Sequence, residues 1–425
     1  MASKFTDQLG RPVVAVTGIG VVTSLGQGKA DNWAALTSGK SGIHAINRFP
    51  TDLLKTRIAG TVDFLPESNK GASLLSLALA SSAAEEAIAE SGLNGPFGGP
   101  LFLAAPPVEL EWQHRFALEK ELAAQSEAGY DRMLAACRAG RHDAFFDAAQ
   151  FVSIAAQLQE RFGTRGLPVT LSTACASGAT AIQLGVEAIR RGETTRALSI
   201  ATDGSVSAES LIRFSLLSAL STHNDPAEKA AKPFSKDRDG FVMAEGSAAL
   251  VLESLESAVA RGAKVLGILK GCGEKADDFH RTRSKPDASP AIGAVRAALA
   301  DAGVDESAIQ YINAHGTSTP ENDKMEFLAI STVFGERIAS IPVSSNKSMI
   351  GHTLTAAGAV EAAFSFLTMQ NSLIPPTINY DNPDPAIPID CVPNKARAAD
   401  VSMVLSNSFG FGGQNSCLVM AREPA

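Results

Sequence analysis

Alanine-rich stretches of helical period alternate along this chain with short runs of β-branched residues, and the pairing recurs in a second copy further on. Residues 12–23 (PVVAVTGIGVVT) form an apolar run closed by Gly26, which predicts a strand buried on both faces or a hairpin at its glycine break. Residues 72–92 (ASLLSLALASSAAEEAIAESG) read as a helix stopped by glycine, feeding a strand at 100–105. Residues 291–303 and the strand-like run 309–314 repeat that pair, AEEAIAESGL being echoed by VRAALADAGV.

In each half the next unit is a strand, a sharp turn and a helix paved with small residues. Residues 168–173 lead through Ala174-Cys175-Ala176 into SGATAIQLGVEAIRRG, and residues 341–345 lead through 346–352 into TAAGAVEAAFSFLTMQ. Helices this rich in alanine and glycine can lie close to other backbones, which places them at the centre. The expectation is an α/β body of two similar halves, 1–255 and 256–425, packed face to face into five layers. The charged, helical stretch 107–165 reads as an insertion in the first half.

Composition narrows the function. With 425 residues, 45% hydrophobic and 19% charged, the chain has ample material for a large core and is not disordered. Lys and Arg number 37 against 45 Asp and Glu, a net charge of -8 with no long basic run, so no nucleic-acid partner is expected. No window of about 18 consecutive apolar residues and no signal-peptide pattern stand out, so membrane insertion is not expected and a cytoplasmic location is. The five cysteines are odd in number and scattered, which reads as reduced thiols. No His-Glu-x-x-His spacing or Gly-x-x-x-x-Gly-Lys-Ser/Thr loop occurs, so no cofactor is expected.

Three places carry chemistry. Cys175 sits where a strand turns into a helix, between small residues, with the helix N-terminus expected to face its sulfur and lower the thiol pKa. His315, in NAHGTSTP, follows a strand end, and His352 stands at a strand-to-helix junction with Lys347 five residues ahead. The glycine-rich turn SNSFGFGGQN lies between the apolar runs VSMVL and SCLVM. It predicts a hairpin whose backbone N–H groups can hold an oxyanion, since no helix follows to bind phosphate.

Taken in order, TGIGVVTSLG, STACASGA, PFSKDRDGFVMAEG, NAHGTSTPEND, SNKSMIGHTLTAAGAVE and SNSFGFGGQN resemble the elongating β-ketoacyl-acyl carrier protein synthases, condensing enzymes of thiolase-like αβαβα fold. That resemblance implies a Cys-His-His triad of Cys175, His315 and His352. Thiolases use a second cysteine and the initiating synthases an asparagine where a histidine stands here. It implies an acyl group carried on Cys175, an oxyanion hole from the N–H groups of Cys175 and Phe411, and decarboxylation of malonyl carrier protein at the two histidines. Lys347 would support His352, and Phe411 would gate the acyl pocket. Asp323, Glu361, Phe409, Thr317 and Thr319 carry over as supporting positions, with a monovalent cation near Asp323 and Glu361. Acyl and malonyl carrier proteins are the implied partners, in a homodimer. Specialised synthesis of very long, unusual or polyketide-like chains is the alternative; a thiolase or a non-catalytic chain-length partner fits the motifs less well. Residues 104–150, the stretch 67–71 and Ser218 depart from the resembled pattern, at places that bear on the acyl pocket and the carrier.

Overall fold

The strands that carry the structure fall into two sets of five. A computed structural model describes residues 4–107, 109–121, 129–140 and 143–423. The first set is β1 (Val14–Thr23), β2 (Leu101–Ala104), β3 (Val169–Leu171), β4 (Arg196–Asp203) and β5 (Gly246–Ser254). The second is β6 (Gly267–Ala276), β7 (Tyr311–Asn313), β8 (Pro342–Ser344), β9 (Met403–Phe409) and β10 (Gln414–Ala421).

The first set lies in the order β1-β5-β4-β2-β3 and the second in the order β6-β10-β9-β7-β8. In both, the first two pairings are antiparallel and the next two parallel. The same order and polarity in each half is the three-dimensional form of the repeat read from the sequence. The halves join edge to edge, β1 pairing antiparallel with β6 from Val14↔Leu269 to Val16↔Gly267.

Helices complete the layers. α1 (Ala72–Ser91) covers the outer face of β1, β5 and β4. Between β2 and β3 run α2 (Trp112–Glu121), α3 (Tyr130–Arg138), α4 (Asp143–Ala148) and α5 (Ser153–Phe162). The middle layer is α6 (Ser177–Arg190) with α10 (Ala357–Asn371), preceded in chain order by α7 (Ala208–Leu216), α8 (Ser289–Ala302) and α9 (Pro320–Phe334). α8 covers β6 and β10, with α9 packed beside it. By length and composition α1 could cross a membrane, which the sequence reading did not anticipate. In the fold, Leu75, Leu79, Ala83 and Ala87 are buried, which makes it a core helix.

Small residues set the layer spacing. A β-carbon on Gly20 of β1 would come within 1.9 Å of the Ala83 carbonyl oxygen in α1, and one on Gly273 of β6 within 2.3 Å of the Ala294 oxygen in α8. At the centre, a β-carbon on Gly178 would lie 2.6 Å from Ala359 N, and one on Gly358 would lie 2.5 Å from Ala179 N. The two middle helices therefore touch backbone to backbone at equivalent positions. Each is preceded by a tight 3₁₀ turn that opens on a non-glycine residue of positive φ, Ala174 at 49° and Leu354 at 46°. Such residues are held by their surroundings at a cost of order 1–3 kcal/mol.

Gly358→Val tests the crossing. Its added carbons would meet Ala179 N at 2.5 Å and Ser408 Oγ at 2.9 Å, so unfolding in urea should show a loss of about 3 kcal/mol or more. A loss under about 0.5 kcal/mol would mean that the helices can separate freely.

Candidate active site

Cys175 sits in the 3₁₀ turn Ala174–Ala176 between β3 and α6. The turn is tied locally: Ser177 Oγ accepts from Thr173 N–H at 2.7 Å and donates to the Ala174 carbonyl. Gly410 lies against it, a β-carbon there falling 3.2 Å from Cys175 N. The backbone N–H of Phe411 hydrogen-bonds to the Cys175 sulfur. The hairpin of β9 and β10 thus brings its glycine turn onto the cysteine, as its sequence position suggested.

The thiol departs from expectation. Burial pushes its pKa up, to about 11, because an unsolvated thiolate is costly; Lys347 and the Phe411 N–H oppose this without cancelling it. The buried carboxylates Asp203 and Glu361 push the same way as burial.

His315 and His352 arrive from the other half. One ring nitrogen of each and Cys175 Sγ lie within 4.8 Å of one another, and the two rings meet edge to face at 5.3 Å. Both histidines are buried, and burial first, then Lys347, drives their pKa values well below the ordinary imidazole range, so both are neutral at pH 7. His352 Nδ1 accepts from Leu354 N–H at 3.2 Å, which leaves the ring proton on Nε2. That Nε2 is buried without a hydrogen-bond partner among the described residues. The His315 ring hydrogen-bonds to the backbone of Phe409, whose own ring packs 5.9 Å away.

Lys347 stands behind His315 rather than His352. Its ammonium donates to the His315 carbonyl at 2.7 Å, lies 3.3 Å from His315 Nδ1, and pairs with Glu361. The support that the resemblance assigned to the second histidine therefore reaches the first, because the α10 carboxylate draws the lysine to that side. A cation so near His315 also disfavours a metal ion bound between the three residues.

Asp323 and Glu361 face different partners. Asp323 accepts from Phe234 N at 2.8 Å and Ser318 N at 3.2 Å, with Arg238 beside it, so its oxygens are occupied. Glu361 Oε2, Asn313 Oδ1 and Ser406 Oγ are buried with no hydrogen-bond partner among the described residues. Asn313 and Ser406 are register partners on β7 and β9, and Asn313 Nδ2 donates to the Glu361 carbonyl. Hard oxygen donors of this kind fit a monovalent cation at Glu361 and not at Asp323.

Glu326, unnoticed in the sequence, is fully buried on α9. It accepts from His315 N at 2.8 Å, Gly316 N at 2.7 Å and Asn407 Nδ2 at 3.0 Å, fixing the turn that carries His315 to the hairpin. The available signal was an acidic residue among the apolar positions of EFLAI. Thr317 and Thr319, their hydroxyls 2.9 Å apart, line a funnel with the buried Cys175, His315 and His352 at its base. Beyond Phe411 lies a second cavity, bordered by Asp203, Phe214, Leu217 and Leu354. Cys175 and Phe411 border both.

The family profile "Beta-ketoacyl synthase, N-terminal domain" matches residues 11–73 and 111–258, and "Beta-ketoacyl synthase, C-terminal domain" matches 266–381. The first resumes at 111, inside the stretch read as an insertion. The chain is 38% identical over 419 residues to the tetracenomycin polyketide synthase ketoacyl synthase alpha subunit of Streptomyces glaucescens, covering 96% of this chain and 97% of that one. It is 35% identical to 3-oxoacyl-[acyl-carrier-protein] synthase 2 of Coxiella burnetii, covering 96% and 98%. Among solved structures, a type II polyketide ketosynthase bound to a hexaketide, in complex with its acyl-carrier protein, superposes with TM-score 0.87 at 31% identity, covering 97% and 100%. A β-ketoacyl synthase from Burkholderia phymatum gives 0.80 at 33%, covering 97% and 99%.

At neutral pH iodoacetamide should modify exposed Cys137 before buried Cys175. The Cys175 rate should then climb about tenfold per pH unit between about pH 8 and 10, since its thiolate is scarce below a pKa of about 11. Peptide mapping of the alkylated protein checks this; a Cys175 rate that levels off near pH 7 contradicts it.

Proposed function

This chain belongs to the β-ketoacyl synthase family, and from that premise we propose how its residues divide the work of a 3-oxoacyl-[acyl-carrier-protein] synthase, a condensing enzyme that joins an acyl group to a malonyl unit. The observation that carries the reading is the meeting of Cys175, His315 and His352 at the base of one funnel.

In the first half-reaction Cys175 Sγ attacks the thioester carbonyl of an acyl carrier protein. The new C–S bond forms, the carrier sulfur leaves, and the thiol proton ends on the released carrier thiol. The N–H groups of Cys175 and Phe411 hold the oxyanion. In the second, malonyl carrier protein enters the funnel, and carbon dioxide leaves its malonyl group. The enolate oxygen accepts from His352 Nε2–H and lies beside His315. Its carbon then attacks the acyl-cysteine, the C–S bond breaks to give the 3-oxoacyl product, and the freed thiolate takes a proton from water to restore the thiol. Neutral imidazoles suit this step, because they donate to a developing anion without first losing a proton. Lys347 and Glu326 act as positioning residues for His315. Held at Glu361, a monovalent cation would offset that carboxylate's charge.

Phe411, between the two cavities, is read as the gate to the acyl pocket. Ser205, Ser207 and Ser210 border the far cavity beside Phe214 and Leu217, with Ser205 Oγ donating to Asp203 and Ser207 Oγ to Ser210 Oγ. That row favours, as the second reading, an oxygen-bearing polyketide-like chain over a bare alkyl chain. The unpaired outer edge of β3, with exposed Val169, Leu167, Leu216 and Leu217 nearby, supports a homodimer.

His315→Ala and His352→Ala should each lower malonyl decarboxylation by about a hundredfold or more while acyl transfer onto Cys175 persists, followed by carbon dioxide release and by mass spectrometry of the acyl-enzyme. Parental decarboxylation in either variant removes that histidine from the mechanism. Across a panel of acyl carrier substrates of equal length, kcat/KM should favour chains bearing keto or hydroxyl groups. A preference for saturated chains refutes the second reading and leaves the first standing.

A further inference from the structure

The two 3₁₀ turns that open the middle helices correspond residue for residue, with Gly178 and Gly358 at matching places just beyond them. Ala174 then matches Leu354, Cys175 matches Thr355, and Ser177 matches Ala357. The first turn is tied locally, through the Ser177 hydroxyl. Alanine at 357 deprives the second turn of that tie. Its positive φ at Leu354 must still be held, because the Leu354 N–H aimed at His352 Nδ1 decides which ring nitrogen carries the proton.

The groups that hold it come from the other half. Thr355 Oγ1 lies 2.8 Å from the Thr202 carbonyl oxygen and 2.7 Å from Asp203 Oδ2, and Thr355 N–H donates to the same carboxylate oxygen at 3.2 Å. Asp203 Oδ1 accepts from Ser205 N–H at 3.0 Å and Ser205 Oγ at 2.6 Å, which leaves Oδ2 turned toward Thr355. The end of β4 is itself fastened to α1: Thr202 Oγ1 donates to the Ser76 carbonyl at 2.7 Å, and Gly204 N–H to Ser76 Oγ at 2.9 Å. The His352 backbone is fixed separately, its N–H donating to the Val242 carbonyl at 2.7 Å and its carbonyl accepting from Ala244 N–H at 2.9 Å. Orientation of the ring is therefore left to the turn that follows. Asp203 and Thr355 are both buried, and a carboxylate is buried at a cost that its hydrogen bonds must offset.

Resting on the condensing-enzyme reading, we infer that Asp203 is a positioning residue for His352. It holds Thr355, Thr355 holds the strained Leu354 N–H on His352 Nδ1, and the ring proton stays on Nε2, where the enolate oxygen accepts it. A side chain of the first half thus sets the tautomer of a catalytic histidine of the second.

The test uses the full chain, malonyl carrier protein and the variants Asp203→Ala, Asp203→Asn and Thr355→Val. Asp203→Ala should lower kcat for decarboxylation about tenfold or more with KM held. Asparagine keeps an acceptor for Ser205 and a donor for Thr355, so Asp203→Asn should stay within about threefold of the parent. An asparagine variant as slow as the alanine one means that the residue acts through its charge, which overturns the inference. Thr355→Val should match Asp203→Ala, and the double variant should lose no more than either; losses that multiply overturn the inference. Nitrogen-15 NMR of histidine-labelled protein, with the His352 signals assigned by their loss in His352→Ala, reads the tautomer without turnover. The parent should show Nδ1 bare and Nε2 protonated, and Asp203→Ala a mixture of the two tautomers; an unchanged tautomer overturns the inference, since a merely structural role lowers stability and leaves the ring as it was. If Asp203→Ala does not fold, Thr355→Val, which keeps the side-chain volume, decides by the same two readouts. A parent that does not decarboxylate malonyl carrier protein refutes the condensing-enzyme reading, and the spectra still decide the role of Asp203.

Discussion

Contact between the backbones of α6 and α10 is the constraint on which the site depends. Gly178 against Ala359 and Gly358 against Ala179 let two helices from different halves approach as closely as peptide groups allow. Their N-terminal turns are thereby brought together, so that Cys175 from one half meets His352 from the other. A β-carbon at Gly178 would lie 2.6 Å from Ala359 N and one at Gly358 2.5 Å from Ala179 N, so either would force the helices to shift.

Around that crossing the protein buries charge. Lys347 and Glu361 form a buried pair, and Glu326 and Asp203 are each enclosed by donors. Burial raises the Glu361 pKa to about 7 even with Lys347 beside it, a measure of how little water reaches the site. The same dryness keeps both histidines neutral and the thiol protonated. Donors already in place then act on charge that appears only during reaction, at low local dielectric, where each is worth several kcal/mol.

The hairpin turn links these parts. Phe409 holds His315 through its backbone, Phe411 reaches the cysteine sulfur, and Gly412 and Gly413 hold the funnel wall. Gly412 and Gly413 adopt φ of 90° and 93°, which lets a short turn make contacts on both sides. A residue with a β-carbon at 413 would strike the Asp277 carbonyl at 2.1 Å.

Periodicity determined the repeat, the two elbows and the small-residue helices, because layer packing writes itself into the chain as local pattern. Motif spacing determined Cys175, His315, His352 and the glycine turn, since each sits at a strand end whose turn demands particular small residues. Other features were decided only by the tertiary structure. Strands β4, β5 and β6 carry no turn signature that separates them from buried helix, and their places follow from pairing across the sheet. Glu326 looks like any acid on a helix until α9 is set against the His315 turn. Lys347 lies near His352 in sequence yet serves His315, because Glu361 draws it there. The Cys175 thiol is raised rather than lowered, because a helix terminus is a local feature and desolvation is a sum over everything folded around it.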